Sequence, residues 1–129
     1  MSGDAIEGQI LLLTAAKASV PPERLPALVE RAGAYLEGNL TQYRREYECV
    51  FEDDGRAVFF VEWGHWENVG EELGFSVRER SAVRRAHEEQ LRRIGRREDR
   101  IAEFETALEI RDPVLVSTPP LESSEDTSV

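Results

Sequence analysis

The spacing of apolar residues changes along the chain, and each change marks an element. Ile6, Ile10 and Leu13, followed by alanines, recur at helical spacing. Asp4 with Glu7 three residues on has the form of a capping box, so residues 5–18 are expected to be helical. Val20-Pro21-Pro22 ends that run and suits the first turn of another helix. Leu25, Leu28, Val29, Ala32, Leu36 and Leu40 then share one helical face, with Gly38-Asn39 as a stop signal. A helical continuation through Leu40 and Tyr43 would run to about residue 46.

The period then falls to two. Tyr47, Cys49 and Phe51 alternate with Glu46, Glu48 and Val50, and Ala57, Phe59, Val61 and Trp63 alternate with Arg56, Val58, Phe60 and Glu62. Asp53-Asp54-Gly55 lies between the runs, which predicts a β-hairpin over 45–63 with Gly55 supplying a positive φ in its turn. Residues 66–73 read as a short helix closed by Gly74, with Phe75 packing back on Val69. Ser76 and Glu79 form a second capping box, opening a long amphipathic helix with Val83, Leu91, Ile94 and Ile101 on one stripe. Gly95, Arg97 and Glu98 interrupt that stripe, so a kink or break is expected at 95–99. Residues 106–116 are expected to add a third strand, with Pro113 at an edge position or bulge, although Leu108 would also extend a helix. The Ser-, Thr-, Pro- and acid-rich residues 117–129 are expected to form a disordered tail. The expected architecture is therefore one α+β domain over residues 1–116. It comprises two N-terminal helices, an antiparallel β-hairpin, a short and a long helix, and a third strand.

Composition narrows the function classes. A chain of 129 residues with 40% hydrophobic content can bury one core without a staple. A single cysteine, Cys49, rules out an internal disulfide framework, and two histidines offer little to a metal. No apolar run nears the roughly 20 residues of a membrane span, and Ile10 to Leu13 is too short and too far in for a signal peptide. A cytoplasmic protein with no membrane association, no metal and no cofactor is expected.

The charge is lopsided. Twenty-six acids against 16 bases give −10, and Lys17 is the one lysine. Such self-repulsion is tolerable where salt screens it, since the Debye length is about 3 Å at 1 M. That favours a halophilic, archaeal source over an ordinary acidic bacterial protein. Between Arg78 and Arg100, however, the chain carries a local excess of arginine.

Four groups of residues are candidates for chemistry. Trp63-Gly64-His65-Trp66, flanked by Glu62 and Glu67, could form a recognition pocket with His65 as acid, base or ligand. The alternative is that both tryptophans anchor the core. His87 lies beside the apolar stripe of the long helix, either paired with a carboxylate as a proton switch or simply packed and hydrogen-bonded. Cys49, mid-strand, reads as a small buried hydrophobe, and no nucleophile elbow or phosphate loop is present. The stretch 67–91 resembles the helix–turn–helix of DNA-binding proteins. Gly70 stands four residues before the turn Gly74, and Arg78, Arg80, Arg84 and Arg85 populate the second helix. Arg80 departs from that pattern, which places an apolar residue there. The alternative is an arginine face that is solvated, supported by Glu88–Arg92 and Glu89–Arg93 pairs, or docked on acidic surface.

Three segments carry a wider likeness. Pro22-Glu23-Arg24-Leu25-Pro26, Tyr43-Arg44-Arg45-Glu46-Tyr47 with the Asp53-Asp54-Gly55 turn, and Phe104 to Arg111 resemble a small haloarchaeal family of unknown function across most of residues 10–116. The resemblance implies a halophilic source and brings no activity or ligand with it. The leading reading is a non-catalytic interaction or regulatory module whose partner is another protein or a second copy of itself. One alternative is a DNA-binding regulator using 67–91, disfavoured by the acidity of the rest of the chain. The other is an enzyme or small-molecule binder around Trp63, His65 and Trp66.

Overall fold

In sequence order the elements of the computed structural model, which describes residues 5–18 and 20–119, are α1 (Gly8–Lys17), α2 (Leu25–Gly38), α3 (Leu40–Glu46), β1 (Cys49–Glu52), β2 (Arg56–Glu62), α4 (His65–Leu73), α5 (Val77–Arg97), α6 (Ile101–Leu108) and β3 (Arg111–Ser117). The strands form one antiparallel sheet in the order β1-β2-β3. The fold is α+β, as the pattern predicts. Residues 120–129 of the tail expected over 117–129, and the Asp4 end of the first capping box, lie outside the described residues.

The central strand explains the layering. Every β2 residue from Arg56 to Val61 is buried, which is the pattern of a strand covered on both faces. Ala57, Phe59 and Val61 pack with Leu28, Leu36, Tyr43, Trp66 and Val69. Val58 and Phe60 pack on the opposite face with Ile10, Leu91, Ile94 and Phe104.

Two local expectations for the hairpin are corrected. Cys49 pairs with Phe59 but Phe51 pairs with Val58, so Val50 is an extra residue in a β-bulge. The bulge moves Phe51 to the face opposite Cys49 and Tyr47, breaking the alternation read from the sequence. In the turn, Gly55 does not adopt a positive φ. The Asp53 carboxylate instead accepts from the N–H groups of Gly55 and Arg56, both at 3.1 Å, an Asx turn that needs no left-handed residue.

The helix signals behave as expected at α4 and α5. Gly74 closes α4 with φ 73°, and the Phe75 N–H reaches the Gly70 carbonyl at 2.9 Å. Ser76 and Glu79 exchange both bonds of the capping box. The helix stops at Arg97, where Asp99 takes φ 59° and the Arg100 N–H returns to the Gly95 carbonyl. Gly95 itself marks a close approach, since a Cβ there would lie 3.1 Å from the Ile101 Cα and from the Phe104 ring. At α1 the capping is long-range: Glu7 makes no side-chain cap, and its N–H donates to Gln90 Oε1 at 2.7 Å.

The third strand begins later than its expected start at residue 106. Phe104 and Leu108, four apart, both bury against the second core face, so α6 runs to Leu108. Ile110 is exposed, so the alternation read there was not a strand pattern. At the other end Ser117 pairs with Arg56 and the Thr118 N–H donates to the Gly55 carbonyl at 2.9 Å. The sheet thus extends past the expected boundary at 116. Pro113 does lie on an edge strand, opposite Phe60.

Candidate functional site

Two of the sequence candidates, the tryptophan pair and the α5 arginines, meet at one end of the sheet through Arg84. Trp66 is 1% exposed and belongs to the core, donating its indole N–H to the Pro113 carbonyl at 2.9 Å. Trp63 is 57% exposed, and the Arg84 guanidinium lies over its ring at 4.8 Å from the centroid. Between them sits Asp112, which is 2% exposed. Its Oδ1 accepts from Arg84 Nε at 3.1 Å, and its Oδ2 from the N–H groups of Gly64 (3.2 Å) and Trp66 (3.5 Å). Gly64, with φ 96°, precedes α4 and has no side chain to cap it. Asp112 therefore supplies from β3 the carboxylate that suits a helix N-terminus. Ile110, 68% exposed, directly precedes β3 and Trp63 directly follows β2, so both flank the Glu62–Arg111 pair that ends the ladder. A cleft of about 70 Å³ bordered by Trp63, Arg84 and Asp112 is too small for a substrate.

His65 sits in a different constellation. Its Nε2 is 2.7 Å from the Tyr43 hydroxyl and its Nδ1 is 3.2 Å from Glu62 Oε2. The other Glu62 oxygen accepts from the Tyr47 hydroxyl. With neutral His65 the bonds require the proton on Nδ1 and Tyr43 as donor to Nε2. Burial pushes the Tyr43 phenol well above the ordinary tyrosine range. Burial and the bond to Glu62 push Tyr47 up to about 12. Burial alone would raise Glu62, but the bonds from Tyr47, the backbone and His65 outweigh it and hold its carboxyl below the usual range. Two phenols locked in their neutral form are poor nucleophiles, and the network ties α3 to the end of β2. Tyr43 and Asp112 carry these two constellations and the sequence pattern marked neither as functional. A lone Asp in an otherwise apolar strand was the one available signal.

The helix–turn–helix residues are largely committed to the chain itself. The stem of Arg80 packs on Gly70, where an added Cβ would lie 3.0 Å from it. An arginine stem thus fills the contact that the motif gives to an apolar side chain. Arg84 is held by Asp112 and by Glu88 at 3.2 Å. The expected Glu88–Arg92 and Glu89–Arg93 pairs do not form. Glu89 meets Arg92 at 3.4 Å, Arg92 also reaches Glu105, and Arg93 and Arg97 turn to Glu7. Much of the α5 arginine excess is thereby docked on the chain's own acids. Arg78 and Arg85 remain exposed and border a cleft of about 190 Å³ with Lys17.

His87 is not a carboxylate-linked switch. It is 1% exposed, its Nδ1 accepts the Leu115 N–H at 3.0 Å, and its ring lies 4.7 Å from that of Trp66. Burial lowers its pKa to about 3, so it stays neutral. Cys49 begins β1 and is partly exposed, with Sγ 3.3 Å from the Phe51 carbonyl. Among the described residues no cluster of three or more His, Cys, Asp or Glu could hold a metal. No helix there is long and apolar enough to cross a membrane.

A family model described as a domain of unknown function (DUF8048) matches residues 4–118. Comparison with curated proteins and with solved structures gives no match.

Proposed function

We propose that this chain, which belongs to the DUF8048 family, is a non-catalytic interaction module that recognises a protein partner through the surface centred on Trp63. The observation that carries this reading is the state of Trp63. It is a large aromatic, 57% exposed, yet fixed in place by Arg84, which is itself held by the buried Asp112. Tryptophan and arginine dominate the energetics of protein interfaces, and an aromatic ordered before binding loses little entropy on contact. Ile110, also exposed beside the Glu62–Arg111 end of the ladder, adds apolar surface at this end of the sheet, and the exposed Arg111 and Glu67 add polar surface. The halophilic and cytoplasmic setting belongs to the same proposal. It rests on the −10 charge, and at high salt such a surface binds through apolar contact because charge steering is screened.

The test is photo-crosslinking from a residue beside Trp63, Glu67→p-benzoylphenylalanine, in cells of the source organism, followed by mass spectrometry. One protein crosslinked in the wild-type background and lost with Trp63→Ala supports the reading. A second copy of this chain as that product would identify the partner as self. Crosslinks that persist unchanged in Trp63→Ala, or none at all, overturn it.

A further inference from the structure

The outer side of α1 lacks the charge that covers the rest of the molecule. Its sequence, GQILLLTAAK, holds one charged residue, Lys17, in a chain that is 33% charged. Ile10, Thr14 and Ala15 are its buried residues. Side chains four apart on a helix stand one above the other, so Gly8, Leu12 and Ala16 form one outward row and Gln9 and Leu13 the next. All five residues are exposed, Leu12 at 71% and Leu13 at 55%. Single exposed apolar residues are ordinary, but of the large ones exposed among the described residues only these two are neighbours in the chain.

Opposite charges stand at the two ends of this face. At the C-terminal end Lys17 has a side chain 55% exposed, which comes no nearer than 4.0 Å to Glu89. At the N-terminal end Gly8 borders a cleft together with Glu30 and Glu37 of α2. Both of these carboxylates are exposed, and neither has an ion-pair partner among the described residues. Gly8 opens onto free space, since a Cβ there would meet nothing within 4 Å. An apolar face with a cation at one end and acids at the other is complementary to itself once it is turned end for end.

We propose that this face of α1 binds a second copy of the chain, with the two α1 helices antiparallel about a two-fold axis between Leu12 and Leu13. Each Leu12 then faces the other copy's Leu13, and each Gln9 the other's Ala16. Each Lys17 reaches the other's Gly8, beside Glu30 and Glu37, so the charge contact is made twice. A parallel pairing would instead set Lys17 against Lys17. A helix of this length spans about 15 Å, and such a face buries less than the roughly 800 Å² per partner of a standard interface. The dimer is therefore weak and concentration-dependent. With −10 on each chain, it tightens as salt screens the repulsion and strengthens apolar contact. The proposal is independent of the Trp63 surface.

The experiment is sedimentation velocity of the full chain from about 10 μM to about 1 mM, at about 0.1 M and about 2 M KCl. A monomer–dimer equilibrium should appear and should tighten at the higher salt. Leu12→Gln/Leu13→Gln should weaken the dimer at least about tenfold while leaving the melting temperature of the dilute protein unchanged, because both side chains are exposed. Lys17→Glu should weaken it about tenfold at about 0.1 M KCl, and Lys17→Glu/Glu30→Lys/Glu37→Lys should restore it. The charge swap distinguishes this antiparallel pairing from a merely adhesive helix. Trp63→Ala should leave the dimer intact, so the two surfaces succeed or fail separately. A chain that stays monomeric at both salts, a dimer retained in the leucine variant, a charge swap without rescue, or a dimer lost in Trp63→Ala would each overturn the proposal.

Discussion

Replacing Asp112 by alanine removes an acceptor that holds α4, α5 and β3 together. The carboxylate is 2% exposed and accepts from Arg84 Nε and from the N–H groups of Gly64 and Trp66. Alanine leaves both backbone donors unsatisfied and takes a counterion from Arg84. Breaking a fully buried ion pair costs about 3–5 kcal/mol, but Arg84 is 32% exposed and keeps Glu88, which argues for the lower end. A loss of about 3 kcal/mol, at about 4 °C per kcal/mol for a domain of this size, lowers the melting temperature by about 12 °C. Asp112→Asn keeps the shape and one acceptor oxygen, so about 1 kcal/mol and about 4 °C are expected. Thermal unfolding followed by circular dichroism reads both. A cycle with Arg84→Met separates the ion pair from the helix cap: the Asn/Met double variant should cost about 1 kcal/mol less than the sum of its parts. An alanine variant that melts within about 3 °C of wild type, or strict additivity in the cycle, would refute this account of Asp112.

Glu7→Gln should be less stable than wild type at pH 7. Burial opposes ionisation of Glu7, but Gln90, Arg97 and Arg93 outweigh it and lower its folded pKa, so its contribution is present above the unfolded value and lost as pH falls through the folded one. Urea midpoints at pH 7, 4.5 and 3 should therefore converge, and a constant gap down to pH 3 would contradict the assignment. Stability should rise from about 0.1 M to about 2 M KCl as screening relieves the −10 charge, and a flat or falling melting curve would remove the halophilic reading. Gly74→Ala should cost about 1 kcal/mol by urea denaturation, because φ 73° strains any side chain there; a neutral result would mean that the α4–α5 turn relaxes.

What the sequence disclosed about this fold was local. The Ser76–Glu79 box, the Gly74 stop and the period of β2 each depend on residues within a few positions, where pattern and physics coincide. The bulge at Val50 was hidden because it depends on which residue of β2 lies opposite, and a single extra residue leaves the composition unchanged. The same holds for the candidate site. Trp63 and Trp66 look alike in the chain, and only the approach of β3 makes one core and the other surface. Asp112 meets Gly64 and Trp66 across more than 40 residues. The arginines of α5 were legible as a charge excess, but their partners Glu7, Asp112 and Glu105 come from three other segments.

One consequence of the way β3 is finished concerns crowding rather than folding. The outer side of this strand presents the groups a foreign strand would use to lengthen the sheet. At its middle they are already taken: His87 holds the Leu115 N–H, Trp66 holds the Pro113 carbonyl, and Pro113 has no N–H to give. On the far side β1 is only four residues long, bulged, and covered at the Val50 carbonyl by Arg100. A high-salt medium strengthens apolar association and weakens the charge repulsion that ordinarily keeps acidic chains apart. In such a medium a sheet whose edges are closed by its own side chains has a safeguard against aggregation that does not depend on charge.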